Sequence, residues 1–191
     1  MLEGTKRGKT VLICGLAPCL MEDFNEARLH RPDADLIIVN YACGELAGDY
    51  LFTLHPEQID KMKAISLKPE MPVLSSSNPE KYGQYPVDVW VPMDKFNAAT
   101  SGYAATRAAY WMGYDEIIMC GCPLDEKVRG YYGKHYRTWQ YRPRQIQQYA
   151  DKFAEYFDRF PHEKIRSMSG YTKQVLGAPE WQQTSQSAQT H

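Results

Sequence analysis

Short apolar runs, each followed by or ending at a glycine or a polar residue, alternate along the chain with segments of helical periodicity. The predicted strands are 11–15, 36–39, 50–54, 72–74, 117–120 and 165–168, and the predicted helices are 21–29, 56–62, 104–112, 144–160 and 172–176. Short apolar runs joined by helices are typical of a parallel sheet that is buried on both faces. The pattern therefore predicts an α/β protein with a Rossmann-like, doubly wound and mainly parallel sheet that has helices on both faces.

The segment that starts at Thr100 predicts a helix whose first turn is suited to an anion. Thr100, Ser101 and Gly102 supply two hydroxyl groups and a flexible backbone position, as in a loop that leads into a helix. Free N–H groups at a helix start favour an anion such as phosphate. Small residues then form a thin face that can pack closely on a sheet: Ala104, Ala105, Ala108, Ala109 and Met112. A structural crossover without a ligand is the alternative interpretation.

Further candidate residues follow the predicted strands directly, at the edge where doubly wound folds bind nucleotides. The loop 15–20 follows the first strand, although it has neither the GxGxxG pattern nor the lysine of a P-loop. Asn40 is suited to a base or ribose edge, with a turn asparagine as the alternative. His55 is a candidate general base or phosphate contact, with a surface histidine at a helix start as the alternative. The candidate nucleotide-binding residues are Gly15, Ala17, Pro18, Asn40, Ser75, Thr100, Ser101, Gly102 and Gly121.

Length and composition predict one domain without a membrane span. The 191 residues suffice for a substantial core, which we assign to residues 1–178, with irregular insertions at 79–97 and 122–143. The last residues, 179–191, are rich in Gln, Ser and Thr and are predicted to be disordered. No apolar run approaches the roughly 20 residues that cross a bilayer. Five cysteines in apolar contexts indicate a reduced, cytoplasmic chain rather than a disulfide framework.

Residues 127–144 combine basic and aromatic side chains. They include Lys127, Arg129, Lys134, His135, Arg137, Arg142 and Arg144, together with Tyr131, Tyr132, Tyr136, Trp139 and Tyr141. Such a mixture can bind phosphates and stack on bases or sugars. The alternatives are an interface of a homo-oligomer and a solvated charged surface. The net charge of −1 gives the whole chain no positive field for nucleic acid.

The segment 100–121 reads Thr-Ser-Gly-Tyr-x-x-x-x-x-Ala-x-x-x-Gly-Tyr-x-Glu-Ile-x-x-x-Gly. It resembles the corresponding segment of the bacterial sialyltransferases of glycosyltransferase family 42, and it is similar to the related MptE-like, Rossmann-type pyrophosphokinases. The loop 15–20 looks like a drifted copy of that group's Gly-Asn-Gly-Pro-Ser-Leu, with Leu16 in place of the asparagine and Cys19 in place of the serine. The order of elements is similar over 11–176.

The resemblance implies a domain that binds a cytidine-type nucleotide at the carboxyl ends of its strands and transfers a sugar without a metal ion. Asn40 matches the family's nucleotide-contacting asparagine. Tyr131 and Tyr132 fall in the loop whose tyrosines hold the nucleotide phosphate, and His135 is the nearest candidate for the general base, with His55 as the second candidate. The implied substrate is a nucleotide sugar of the CMP type, with no tightly bound cofactor. The acceptor would be a glycan, a small molecule or a nucleic acid.

Two other functions are consistent with the same sequence. A phosphotransferase of the MptE-like type would use ATP and Mg²⁺, with Asp125 and Glu126 as the candidate carboxylates. A non-enzymatic module would bind a nucleotide or a nucleic acid through residues 127–144, with a steep dependence on salt. The compact size is compatible with a phage origin.

Overall fold

The structure is a computed structural model that describes residues 2–92, 100–125, 127–132, 135–140, 144, 147–148, 151–152, 155 and 162–187. For residues 126–140, 162 and 184–187 no side chain is described. The predicted helix 144–160 falls mostly outside the described residues.

The described part of the chain contains one sheet of seven strands, all parallel, in the order β5-β4-β3-β2-β1-β6-β9. A separate antiparallel hairpin, β7–β8, follows β6. The strands are β1 Thr10–Cys14, β2 Asp35–Val39, β3 Tyr50–Thr53, β4 Val73–Ser75, β5 Val89–Trp90, β6 Glu116–Cys120, β7 Lys127–Tyr132, β8 His135–Gln140 and β9 Ile165–Ser167. In β1, β2 and β6 every residue after the first is buried, as expected for strands covered on both faces.

Helices cover both faces of this sheet. They are α1 Leu20–His30, α2 Ile59–Ile65, α3 Pro79–Tyr82, α4 Ser101–Met112, α5 Gly170–Leu176 and α6 Glu180–Ser187. One core cluster joins α4 to Ile13, Phe52 and Met119, and a second joins α1 and α2 to residues such as Leu12 and Ile38. Neighbouring residues of one strand thus belong to opposite cores. The predicted fold, a Rossmann-like α/β domain with a parallel sheet and helices on both faces, is confirmed.

Helix α4 lies across the middle of the sheet because its buried face is made of small side chains. It contacts β1, β2, β3 and β6, and its alanines at 104, 105, 108 and 109 are at most 1% exposed. The Thr100 hydroxyl accepts a hydrogen bond from the Tyr103 N–H at 3.2 Å. Gly113 ends the helix with φ +93°. The predicted helix end at Gly113 is confirmed, whereas the helix begins at Ser101, three residues before the predicted range 104–112 and inside the segment predicted to be a loop.

The amino ends of the strands are closed by a polar cluster around Asp35. The Asp35 Oδ2 atom accepts hydrogen bonds from Lys6 Nζ at 2.8 Å and from the Tyr114 hydroxyl at 2.6 Å. The Lys6 ammonium group also lies 5.2 Å from the ring centre of Tyr50. This cluster joins the N-terminal segment to β2 and to the turn before β6.

Three regions are more ordered than the sequence predicts. Residues 79–97 contain α3 and the edge strand β5, which pairs with β4, and residues 122–143 contain the β7–β8 hairpin. The tail begins with α6, where disorder is predicted from 179 onwards. Its Trp181 ring stacks on His30 at 4.7 Å, and the Arg31 guanidinium lies 5.0 Å from the Trp181 ring centre. These contacts with α1 supply the apolar burial that a Gln- and Ser-rich sequence does not offer by itself.

Among the described helices, none is both long enough and apolar enough to cross a membrane.

Candidate functional site

The order of the strands creates a topological switch point between β1 and β6. From β1 the chain proceeds outward through β2, β3, β4 and β5, and it then returns to place β6 on the other side of β1. In open α/β sheets ligands bind in the crevice at the carboxyl ends of the strands beside such a point. The residues after Cys14 and Cys120 therefore lie where a fold of this kind binds its ligand.

The residues that follow β1 and β6, called here the exits of these strands, are joined by backbone hydrogen bonds. The Gly15 N–H donates to the Cys120 carbonyl at 2.9 Å, and the Ala17 N–H donates to the Gly121 carbonyl at 3.1 Å. Gly121 has φ +63°, and a Cβ atom on it would overlap the carbonyl oxygen of Gly15. The structure thus brings the predicted residues Gly15, Ala17 and Gly121 together, whereas Pro18 is exposed beside them.

The first turn of α4 packs against the residues that follow β1 and β6. A Cβ atom on Gly102 would lie 3.0 Å from the Cys122 Sγ atom, which also fills the space next to Gly15. The first turn of α4 carries no acidic residue. Within the described residues, the N–H groups of Ser101 and Gly102 have no hydrogen-bond partner. The predicted Thr100–Gly102 segment therefore presents free donors at the carboxyl edge of the sheet.

Buried oxygen atoms without a partner are concentrated at this edge. The described residues contain three such side-chain oxygens, Asn40 Oδ1, Ser76 Oγ and Gln182 Oε1. Asn40 follows β2 directly and has φ +52°, and Ser76 follows β4 directly and is 4% exposed. An unpaired buried polar atom costs free energy unless something supplies its hydrogen bond. Two of the three atoms thus lie where a ligand of this fold would supply one.

Ser76 is a residue that the sequence analysis missed, because it named the neighbouring Ser75. The Ser75 hydroxyl accepts a hydrogen bond from the Ser77 N–H at 3.2 Å, and the Ser77 hydroxyl donates to the Leu54 carbonyl at 2.7 Å. Only the middle hydroxyl of this Ser-Ser-Ser run is left without a partner. The run itself is a visible signal, but the Ser77 hydroxyl finds its partner only at Leu54, which follows the neighbouring strand β3.

The predicted catalytic residues lie on other elements. The His55 side chain is 59% exposed after β3, and its Nδ1 atom lies 3.4 Å from Glu57 Oε1. Tyr132 and His135 face each other as a backbone pair of the hairpin, next to the Tyr131–Tyr136 pair. The side chains of Tyr131, Tyr132 and His135 lie outside the described residues. The structure therefore places these residues on a hairpin that follows β6, and it does not bring His55 to the exits of β1 and β6.

Asp23, in the first turn of α1, is a buried carboxylate that the sequence analysis also missed. Its Oδ2 atom accepts hydrogen bonds from the Gly121 N–H and from the Ser169 hydroxyl, both at 2.8 Å. Burial raises the pKa of Asp23, and these two hydrogen bonds oppose the rise. Asp23 therefore ties α1 to the exits of β6 and β9. An acidic residue in a first helical turn is common, so the sequence offers little signal for this role.

Four cysteines surround the same junction, and burial makes Cys19 and Cys122 poor nucleophiles. Cys14 and Cys120 are register partners on β1 and β6, and the Cys19 Sγ atom lies 3.2 Å from the Ser169 Oγ atom. Burial raises the pKa of Cys19 to about 11 and raises the pKa of Cys122 further. Because the thiolate is the reactive form, these thiols act as packing groups.

No metal site is apparent in the described part of the chain, where no three His, Cys, Asp or Glu side chains are grouped to hold an ion. Of the two carboxylates considered for magnesium, Asp125 is exposed, and Glu126 lies outside the described residues.

A pocket of about 340 Å³ opens at the opposite, amino edge of the sheet. Its lining includes Arg7, Trp111, Asp115 and Lys164. Two of its charged side chains, Lys164 and Asp115, form an ion pair at 2.7 Å. Because the pocket is at the amino edge, it lies away from all of the candidate residues.

No protein-family model matches this chain, and no curated protein matches it in sequence. Its function is therefore inferred from its own residues and from the geometry of the carboxyl edge.

Proposed function

We propose that this protein is a glycosyltransferase-like enzyme that binds a nucleotide sugar, of the cytidine type, at the carboxyl edge of its sheet without a metal ion. The observation that carries the proposal is the coincidence of two features at that edge. Free N–H groups at the start of α4 suit the phosphate of a nucleotide, and the buried oxygens of Asn40 and Ser76 lack partners.

The roles follow from the chemistry of each group. The Ser101 and Gly102 N–H groups donate to phosphate oxygens, and the Ser101 hydroxyl is a further donor. The Asn40 Oδ1 atom accepts a hydrogen bond from a ribose hydroxyl or from the amino group of cytosine. The Ser76 hydroxyl either donates or accepts. Each of these contacts satisfies a group that the described residues leave unpaired.

The chemical step is assigned to the hairpin that follows β6. Tyr131 and Tyr132 would hold the phosphate as it leaves, and His135 would take the proton of the acceptor hydroxyl, with His55 as the second candidate. A general base must lie within hydrogen-bond reach of the proton that it removes. His55 follows β3, two strands away from β1, and is therefore the second candidate.

A thermal-shift screen tests the ligand class. The full chain is heated with CMP, CDP, UDP, GDP, ADP and ATP, each with and without Mg²⁺. We expect CMP or CDP to raise the melting temperature without Mg²⁺, because a ligand that binds only the folded state stabilises it by mass action. Stabilisation by ATP only with Mg²⁺ would favour a phosphotransferase instead. Binding of oligonucleotides alone, with steep loss at high salt, would favour a non-enzymatic module.

Ser76→Ala is expected to lower nucleotide affinity about tenfold while leaving the free energy of unfolding unchanged or slightly higher. The reason is that the Ser76 Oγ atom has no partner in the free protein. The matched control is Ser77→Ala, which removes a hydroxyl that donates to the Leu54 carbonyl. The control should cost about 1 kcal/mol of stability and leave affinity unchanged. Urea unfolding measures the free energy of unfolding, and calorimetric titration measures the nucleotide affinity. A loss of affinity in Ser77→Ala but not in Ser76→Ala would contradict the site.

A further inference from the structure

Asp23 places a negative charge at the β1–α1 loop, where doubly wound folds commonly bind a phosphate. The carboxylate is 6% exposed. Among the described residues no Lys, Arg or His forms an ion pair with it. Its hydrogen bonds from the Gly121 N–H and the Ser169 hydroxyl both stabilise the charged form. The Asp23 carboxylate therefore already balances the partial positive charge at the N-terminus of α1.

Three backbone donors of the loop are also in use. The N–H groups of Gly15, Ala17 and Leu20 donate to the carbonyl oxygens of Cys120, Gly121 and Ala17, in that order. A phosphate at this loop would therefore meet a buried carboxylate beside the backbone donors that stay free.

The start of α4, at the same carboxyl edge of the sheet, differs from the start of α1 in charge. Its first turn has no acidic residue, and the N–H groups of Ser101 and Gly102 are free within the described residues. The orphan Ser76 hydroxyl also lies at the carboxyl edge of the sheet, because Ser76 follows β4 directly. The start of α1 therefore carries negative charge that repels a phosphate, whereas the start of α4 carries none.

We propose that Asp23 determines the orientation of the bound nucleotide by excluding its phosphate from the β1–α1 loop. The phosphate then lies at the start of α4, and the uncharged ribose and base lie towards Asn40 and the β1–α1 loop. This inference rests on the proposed nucleotide site and adds a specificity-determining residue to it.

Two substitutions in the same helical turn test the role of the charge. Asp23→Asn removes the buried charge and keeps an oxygen that accepts from the Gly121 N–H, whereas Glu22→Gln removes an exposed charge next to it. The probes are CMP, cytidine and inorganic pyrophosphate, titrated calorimetrically into the full chain. Asp23→Asn is expected to raise the affinity for CMP and pyrophosphate about tenfold and to leave cytidine unchanged. Glu22→Gln is expected to change all three by less than twofold. Equal effects of the two substitutions, or no effect of Asp23→Asn on pyrophosphate, would overturn the proposal.

A measurement on the unmodified chain keeps the test independent of how well Asp23→Asn folds. Backbone amide resonances are followed by NMR while pyrophosphate is added. The signals of residues 101–103 are expected to shift, and those of residues 16–20 are expected to stay in place. Shifts that are largest at 16–20 would overturn the role of Asp23. Failure of every nucleotide to bind would refute the proposed function instead, while the pyrophosphate results would still decide whether Asp23 excludes phosphate.

Discussion

Gly121→Ala is expected to lower the free energy of unfolding by about 3 kcal/mol or more. Its backbone has φ +63°, a conformation that costs a non-glycine residue about 1 kcal/mol. The added Cβ atom would also overlap the Gly15 carbonyl oxygen and lie 2.8 Å from Leu20 Cβ. The Gly15 carbonyl is part of the backbone and cannot rotate away, so the exits of β1 and β6 would have to separate.

Gly8→Ala is the matched control for that experiment. Gly8 has φ +76°, and an added Cβ atom would meet nothing within 4 Å. It should therefore show only the backbone cost of about 1 kcal/mol. Urea unfolding of both variants gives the comparison. Equal losses at the two positions would mean that the close contact between Gly121 and the Gly15 carbonyl oxygen contributes nothing to stability.

Asp35→Ala is expected to cost about 2–4 kcal/mol of stability. The substitution would remove the acceptor of the Tyr114 hydroxyl, which belongs to a residue that is 0% exposed, and the partner of the partly buried Lys6 ammonium group. A buried donor and a charge would both be left unsatisfied. Chemical denaturation measures the loss.

Lys164→Ala provides the comparison for an exposed ion pair. Lys164 and Asp115 lie 2.7 Å apart, but their side chains are 35% and 50% exposed. Exposed pairs of this kind contribute little to stability, because water and salt screen them. A loss as large as that of Asp35→Ala would show that burial does not set the value of these interactions.

The Asp35 cluster also predicts a dependence of stability on pH. Burial tends to raise the pKa of Asp35, but the hydrogen bonds from Lys6 and Tyr114 outweigh it and hold the pKa below its usual value. A carboxyl group whose pKa is lower in the folded state contributes stability above its unfolded pKa of about 3.9. That contribution is lost as the pH falls through the folded pKa. In Asp35→Asn the melting temperature should therefore fall less steeply below about pH 4 than in the unmodified chain.

The α/β fold and much of the carboxyl edge could be predicted from the sequence, since both depend on local patterns. The run Val-Leu-Ile-Cys has no polar residue and forms the buried part of β1. Gly113 ends α4 at the predicted place, and Thr100 caps its start, because capping depends on a few neighbouring residues. Parallel strands then bring their carboxyl ends to one edge, so Gly15, Asn40 and Gly121 were predicted to lie there together.

Other features were set by contacts between distant parts of the chain. Asp23 is 98 residues from Gly121 and 146 residues from Ser169, the two groups that donate to it. Helix α6 depends on the stacking of Trp181 against His30 of α1. Among three adjacent serines, the exit of β3 decided which hydroxyl stayed unpaired. Periodicity and capping are local and can be read along the chain, whereas the partner of a buried polar group exists only after distant segments have packed together.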